Sequence, residues 1–179
     1  MRRFWAVVLT IVALFGIVVL AGLPLYVFPP VDPVRHSAAA FVLGPPMDDR
    51  LALAEHLRDE GLADRIIVSV QPSGGQTAAD TALCGQSEVV CEVADPFTTS
   101  GEVMMIAEQE PASVIVVTST PHVARTRYLF SKCYPGDVTV IATKQPPTSI
   151  AEWAYQYVYQ SIAFVKAVFE PCIDAGADE

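Results

Sequence analysis

The chain opens on an uncharged apolar run, "FWAVVLTIVALFGIVVLAGL" (residues 4–23), preceded by Arg2 and Arg3. That length at helical rise matches the hydrocarbon thickness of a bilayer, so the pattern predicts one spanning helix. A cleaved signal peptide is the alternative reading, but the run exceeds a usual signal core and no clear small-x-small cleavage site follows it before Pro24. Residues 24–36, "PLYVFPPVDPVRH", carry four prolines, which oppose both helix and central strand. We read residues 1–28 as a signal-anchor, 29–36 as a proline-rich tether and 37–179 as one globular domain.

Beyond the tether the pattern changes to short continuous apolar runs separated by helical periodicity. "AAAFVLG" (38–44), "RIIVSV" (65–70), "EVVCEV" (88–93), "SVIVVTS" (113–119) and "DVTVIA" (137–142) read as strands, the first two buried on both faces. Helices are predicted at "RLALAEHLRDEGL" with Asp48 or Asp49 as its cap, at "TTSGEVMMIAEQE", at "PHVARTRYLFSKC" and from about Ser149 to Phe169. The last is expected to turn Ile150, Ala154, Tyr157, Ser161, Phe164 and Val168 to one face, while Glu152, Gln156, Gln160 and Lys166 exclude a second span. Strands alternating with helices imply an α/β fold: a Rossmann-like, doubly wound, mostly parallel sheet behind one N-terminal transmembrane helix.

Charge then narrows the partners. Arg2 and Arg3 are the only charged residues before Asp32, so the remainder carries 9 basic and 20 acidic residues, a net charge of −11. This excludes an electrostatic nucleic-acid binder. The two arginines before the span favour a cytoplasmic N-terminus and an extracytoplasmic domain at the plasma membrane, with the bilayer as partner of the N-terminal helix. The four cysteines, Cys84, Cys91, Cys133 and Cys172, suit an oxidising compartment and allow three pairings. Among these, Cys84 with Cys91 would staple a local loop, and Cys133 with Cys172 would tie the end of the last helix back to the domain. A spacing of seven matches no zinc signature, and three scattered histidines give no metal pattern.

Ligands of such folds sit at the carboxyl ends of the strands, where four loops fall. The first, Gly44 to Arg50, lacks the glycine patterns of dinucleotide and nucleotide binders, so no cofactor is assigned. Ser69 ends the second strand without the nucleophile elbow that a serine hydrolase needs. Thr99-x-x-Glu102 reads as a capping box, which alone would explain both residues, although a helix start there also aims free N–H groups into the cleft. The strongest is "VIVVTSTPHVARTRYLF" (114–130). Thr118 and Ser119 end a strand, Thr120 and Pro121 suit a helix start, and His122 and Arg125 lie three residues apart on one face, able to converge on an anion. His122 is the candidate catalytic acid or base. Arg127, about 200° round the helix from Arg125, has a solvated or interface role.

These segments, in this order, resemble the YdcF/SanA/ElyC-like family of bacterial α/β domains, over roughly residues 37–169. "VVTSTPHVARTRYLF" is the most specific match, supported by "AAAFVLG" with Arg50 downstream, by "RIIVSV" and by "TTSGE". The resemblance implies a pocket of Gly44, Arg50, Ser69, Thr99, Glu102, Ser119, His122 and Arg125, and a role in cell-envelope and peptidoglycan biogenesis. It departs from the family pattern in lacking any asparagine, with Thr98 and Glu102 where many members carry one. The expected function is binding of a phosphate-bearing or otherwise anionic envelope metabolite, with turnover left open. The alternative is a non-catalytic scaffold or ligand sensor.

Overall fold

The computed structural model describes residues 1–172. Helix α1 (Arg2–Gly22) continues through a π-helical turn (Leu23–Val27), so the proline expected to end the helix is accommodated within one wider turn. Together they form one 26-residue element, mostly exposed, with mean hydropathy 2.9 in its most apolar window: long and apolar enough to cross a membrane.

The five expected strands all form: β1 (Ala39–Val42), β2 (Ile66–Ser69), β3 (Val89–Glu92), β4 (Ser113–Thr118) and β5 (Asp137–Ala142). They make one sheet in the order β3-β2-β1-β4-β5, with every pairing parallel. Val42 lies opposite both Val68 and Val117, so β1 is the central strand and all of its residues are buried. The absence of alternation in "AAFV" follows from that position, since both faces are covered.

Ala39, Phe41, Val114 and Val116 pack against Val103 and Ile106 of α3 (Thr99–Glu108) and against Leu129 and Phe130 of α4 (Val123–Cys133). Ala40, Val42, Ile115 and Val117 face the other way, onto Ala54 and Leu57 of α2 (Asp48–Asp59). The last helix, α5 (Ile150–Phe169), adds Ala167 to the first layer. The chain is therefore α/β, with helices on both faces of a parallel sheet.

Three local expectations change. Met47 is the N-cap of α2 and caps through no side chain, which places Asp48 and Asp49 in the first turn, where their charge favours the helix dipole. Neither Thr120 nor any other side chain caps the start of α4. Instead a 3₁₀ turn (Thr120–His122) with Pro121 in its first positions leads into it. In α5 the buried residues are Gln160 and Ala167, whereas Ile150 is 90 % exposed and Val168 is exposed. The expected stripe instead turns partly toward α1: Tyr157 donates to the Val19 carbonyl at 3.2 Å, and Ser161 shares a 3.1 Å hydrogen bond with Tyr26. Periodicity located this apolar face but could not say which neighbour it meets.

The tether is held. Arg127 donates to the Pro30 carbonyl at 2.9 Å and pairs with Asp32 at 3.0 Å, and Asp32 also accepts from the Val140 amide. Arg127 thus has the interface role. Both disulfides form, Cys84–Cys91 and Cys133–Cys172, with Cα separations of 5.6 and 5.4 Å. They close sequence separations of 7 and 39 residues. On loop entropy alone, replacing both cysteines of the longer loop by serine is expected to cost about 4 kcal/mol, and of the shorter about 2 kcal/mol. Denaturant titration of the two double variants checks this, and equal losses would show that loop closure is not the source.

Candidate functional site

The strand order reverses between β1 and β4, and the chain leaves their carboxyl ends in diverging directions, opening a cleft. Leu43 and Gly44 leave β1, Ser119 to His122 leave β4, and the start of α3 closes the third side. A cavity of about 450 Å³ here is lined by Gly44, Thr99, Glu102, His122 and Arg125, with Tyr159 of α5 as a wall.

The start of α3 explains the "TTSGE" sequence, one residue out from the expected register. Thr98, not Thr99, is the N-cap, its hydroxyl accepting from the Gly101 amide at 3.2 Å. A Cβ at Gly101 would sit 1.9 Å from the Pro96 carbonyl oxygen, so only glycine fits that approach. No reciprocal capping box forms. The Glu102 side chain instead turns inward and accepts from the Gly44 amide at 2.6 Å. Freed from the cap, Thr99 uses its hydroxyl to accept from Arg125 at 3.0 Å.

Glu102 is 4 % exposed, and burial is the dominant influence on it, raising its pKa from 4.5 to about 7. The opposing influences are the Ser69 hydroxyl, the Gly44 N–H and the more distant Arg50 and Arg125. Ser69 lies near enough to favour the ionised form, yet its Oγ completes no hydrogen bond and stays a buried, unpartnered oxygen. Gly44 is fixed by the same packing, because a Cβ there would lie 2.9 Å from Glu102 Oε1 and 3.1 Å from Ser69 Oγ.

Arg125 is 7 % exposed and donates to three neutral partners: Gln160 Oε1 at 3.1 Å, Thr99 Oγ1 at 3.0 Å and His122 Nδ1 at 3.3 Å. Burial lowers its pKa, and Tyr159 and Glu102 oppose that, but no carboxylate forms an ion pair with it among the described residues. Arginine carries no acceptor, so His122 Nδ1 must accept and the ring proton sits on Nε2. Burial first, then Arg125 and Arg50, push His122 down to about 3. The ring is therefore a neutral imidazole at physiological pH, stacked on Tyr159 with an interplanar angle of 24° and 6.2 Å between centroids. Near-neutral acid–base exchange, expected of His122, falls to Glu102 instead.

Not every expected residue meets at this cavity. Arg50, also 7 % exposed, donates from Nη1 to the carbonyls of Leu43, Gly44 and Pro45 at 2.8, 3.4 and 3.2 Å, clamping the loop after β1. With Ser119 it lines a separate cavity of about 690 Å³ bounded by Gln145, Thr148 and Glu152. Ser69 lies beneath, against Gly44 and Glu102.

No family model, curated protein or solved structure matches the chain. The cleft must therefore be read from its own chemistry. Sequence reasoning missed Tyr159 and read Gln160 only among the polar residues that exclude a second span, whereas the structure buries it fully against Arg125. It also missed the hydroxyl of Thr143, which with those of Thr118 and Ser69 lines the carboxyl edges of β5, β4 and β2 without a hydrogen-bond partner among the described residues.

The two shifted groups act on stability in opposite directions. The native state holds a proton on Glu102 that the unfolded chain has released, so this group's stabilisation is complete below pH 4.5 and lost as pH rises through about 7. His122, depressed from 6.5, stabilises above pH 6.5 and loses that contribution as pH falls toward 3. Glu102→Gln is expected to remove the alkaline loss, on the order of 3 kcal/mol, and gain in stability relative to the native chain between pH 5 and 8. Urea titrations of both proteins at the two pH values measure it, and parallel curves would mean that Glu102 ionises normally.

Proposed function

We propose that this chain is a membrane-anchored, YdcF/SanA/ElyC-like protein of the cell envelope whose cleft binds a phosphate-bearing or otherwise anionic metabolite. The observation that carries the reading is Arg125, a buried guanidinium held by three neutral acceptors. A buried cation without a counter-charge is unfavourable, and an arriving oxyanion relieves that cost through charge-assisted hydrogen bonds. Thr99 and Gln160 fix the guanidinium in advance, so little ordering is left to binding.

Glu102 supplies chemistry near neutral pH. With a pKa of about 7 it is half protonated in the working range, able to donate a proton to a leaving oxygen or to take one from an attacking water. His122 serves as a neutral hydrogen-bonding group that orients the Arg125 guanidinium. That same neutrality favours a second reading, a ligand-sensing module without turnover, since an imidazole held near 3 is a poor base.

The anchor reading rests on the apolar length of α1 and the position of Arg2 and Arg3, which favour a single pass with a cytoplasmic N-terminus. The two disulfides fit an extracytoplasmic domain.

Isothermal titration of the detergent-solubilised full chain with inorganic phosphate tests the site. Arg125→Gln is expected to weaken binding by roughly 10- to 100-fold, the loss of charge-assisted hydrogen bonds, and unchanged affinity would remove Arg125 from the site. Turnover of a phosphate ester that vanishes in Glu102→Gln while binding persists supports catalysis, and binding without turnover in the native chain supports the sensor.

A further inference from the structure

The solvent side of α5 carries a run of exposed apolar residues. At about 100° per residue, Ile150, Tyr155, Val158, Ile162, Val165 and Phe169 fall within about 140° of one another. All six are exposed, Ile150 at 90 %, Ile162 at 66 % and Phe169 at 82 %. Glu152 and Lys166 lie along one margin of this stripe, and Gln160 and Ala167 anchor the opposite side in the domain. A continuous exposed apolar face on a helix otherwise packed on a domain marks an interaction surface.

The neighbour of that face identifies its partner. A groove between the two helices is lined by Phe15, Val18 and Val19 of α1 and by Ile150, Ala154 and Val158 of α5. Further along, Tyr157 meets Val19 and Gly22, and Tyr26 meets Ser161. The two helices thus run parallel and side by side, and the first turns of α5 stand level with the last turns of an element apolar enough to cross a membrane. Trp153, Tyr155, Tyr157 and Tyr159 cluster there, the residue types enriched at membrane–water interfaces.

The path of the tether gives the same orientation. The π turn packs against the 3₁₀ turn after β4, at the carboxyl edge of the sheet. From there Pro30 and Asp32 pass α4 and β5, and Ser37 reaches the amino edge beside Ala63. The strands then point back toward the end of α1.

We propose that the exposed apolar face of the first turns of α5, from Ile150 to Val158, lies in the lipid bilayer's interfacial layer beside the end of α1, so that the carboxyl edge of the sheet, with its cleft, faces the membrane. This rests on the reading of α1 as a membrane span. The aromatic side chains of these turns of α5 then sit at the headgroup boundary, where Trp and Tyr are enriched. A ligand presented at the membrane surface then meets the cleft directly, past Tyr159 and Ile162 of the α5 wall.

Tryptophan quenching separates the two readings. The chain has two tryptophans, Trp5 and Trp153. In a Trp5→Phe/Trp153→Phe background, single tryptophans are placed at Leu14 in α1, at Tyr155 and Val158 on the stripe, and at exposed His56 on α2. Each full chain is reconstituted in phosphatidylcholine–phosphatidylglycerol vesicles with brominated acyl chains. The expected result is loss of emission for Tyr155→Trp and Val158→Trp approaching that of Leu14→Trp, with His56→Trp keeping its emission. If Leu14→Trp is quenched while both stripe variants stay bright and open to aqueous acrylamide, the docking proposal is wrong and the anchor stands. Stripe tryptophans shielded from both quenchers would overturn it in favour of a second copy of the chain. An unquenched Leu14→Trp would overturn the anchor and the proposal together.

Discussion

The cleft depends on the hydrogen bond from the Gly44 amide to the buried Glu102 carboxyl, at 2.6 Å. It joins the end of the central strand to the first turn of α3 across 58 residues of sequence, and it sets the space in which everything else is arranged. Because the carboxyl is drawn inward, Thr98 takes the cap, Thr99 is released to hold Arg125, and Gly44 can carry no side chain. Arg50 secures the same loop from the opposite direction, through the carbonyls of Leu43, Gly44 and Pro45.

The electrostatic consequence is a site built for a charge it does not itself contain. Two guanidiniums and one carboxyl are buried within one edge of the sheet, and the carboxyl is pushed toward neutrality by burial more strongly than the arginines hold it ionised. Net positive character therefore persists in a cleft of a domain that is otherwise strongly acidic. Such a local reversal of sign focuses anions on one place instead of over the whole surface.

Much of the fold was legible because the inner strands are short apolar runs buried on both faces, so "AAFV" and "SVIVVT" could be little else. The pairing of His122 with Arg125 was also legible, since three residues on one helix turn are neighbours by geometry alone. The register of "TTSGE" was not. Thr98 and Thr99 are equally good caps, and only the Pro96 carbonyl against Gly101 and the Gly44 amide beyond Glu102 decide between them. The protonation states were not legible for a similar reason: the pKa of His122 and of Glu102 follows chiefly from burial, which no local pattern reports. Gln160 and Tyr159 entered the site from the far end of the chain, through a helix whose docking partner could not be read from its periodicity.

The central claim is that Glu102 is a near-neutral acid beside an arginine awaiting an anion. A pH titration of the Glu102 side-chain carboxyl by carbon-13 NMR, without and with inorganic phosphate, tests it most directly. The account requires a midpoint near 7 that moves upward when phosphate binds at Arg125, because a second negative charge disfavours ionisation. A midpoint near 4.5 that phosphate leaves in place would contradict it.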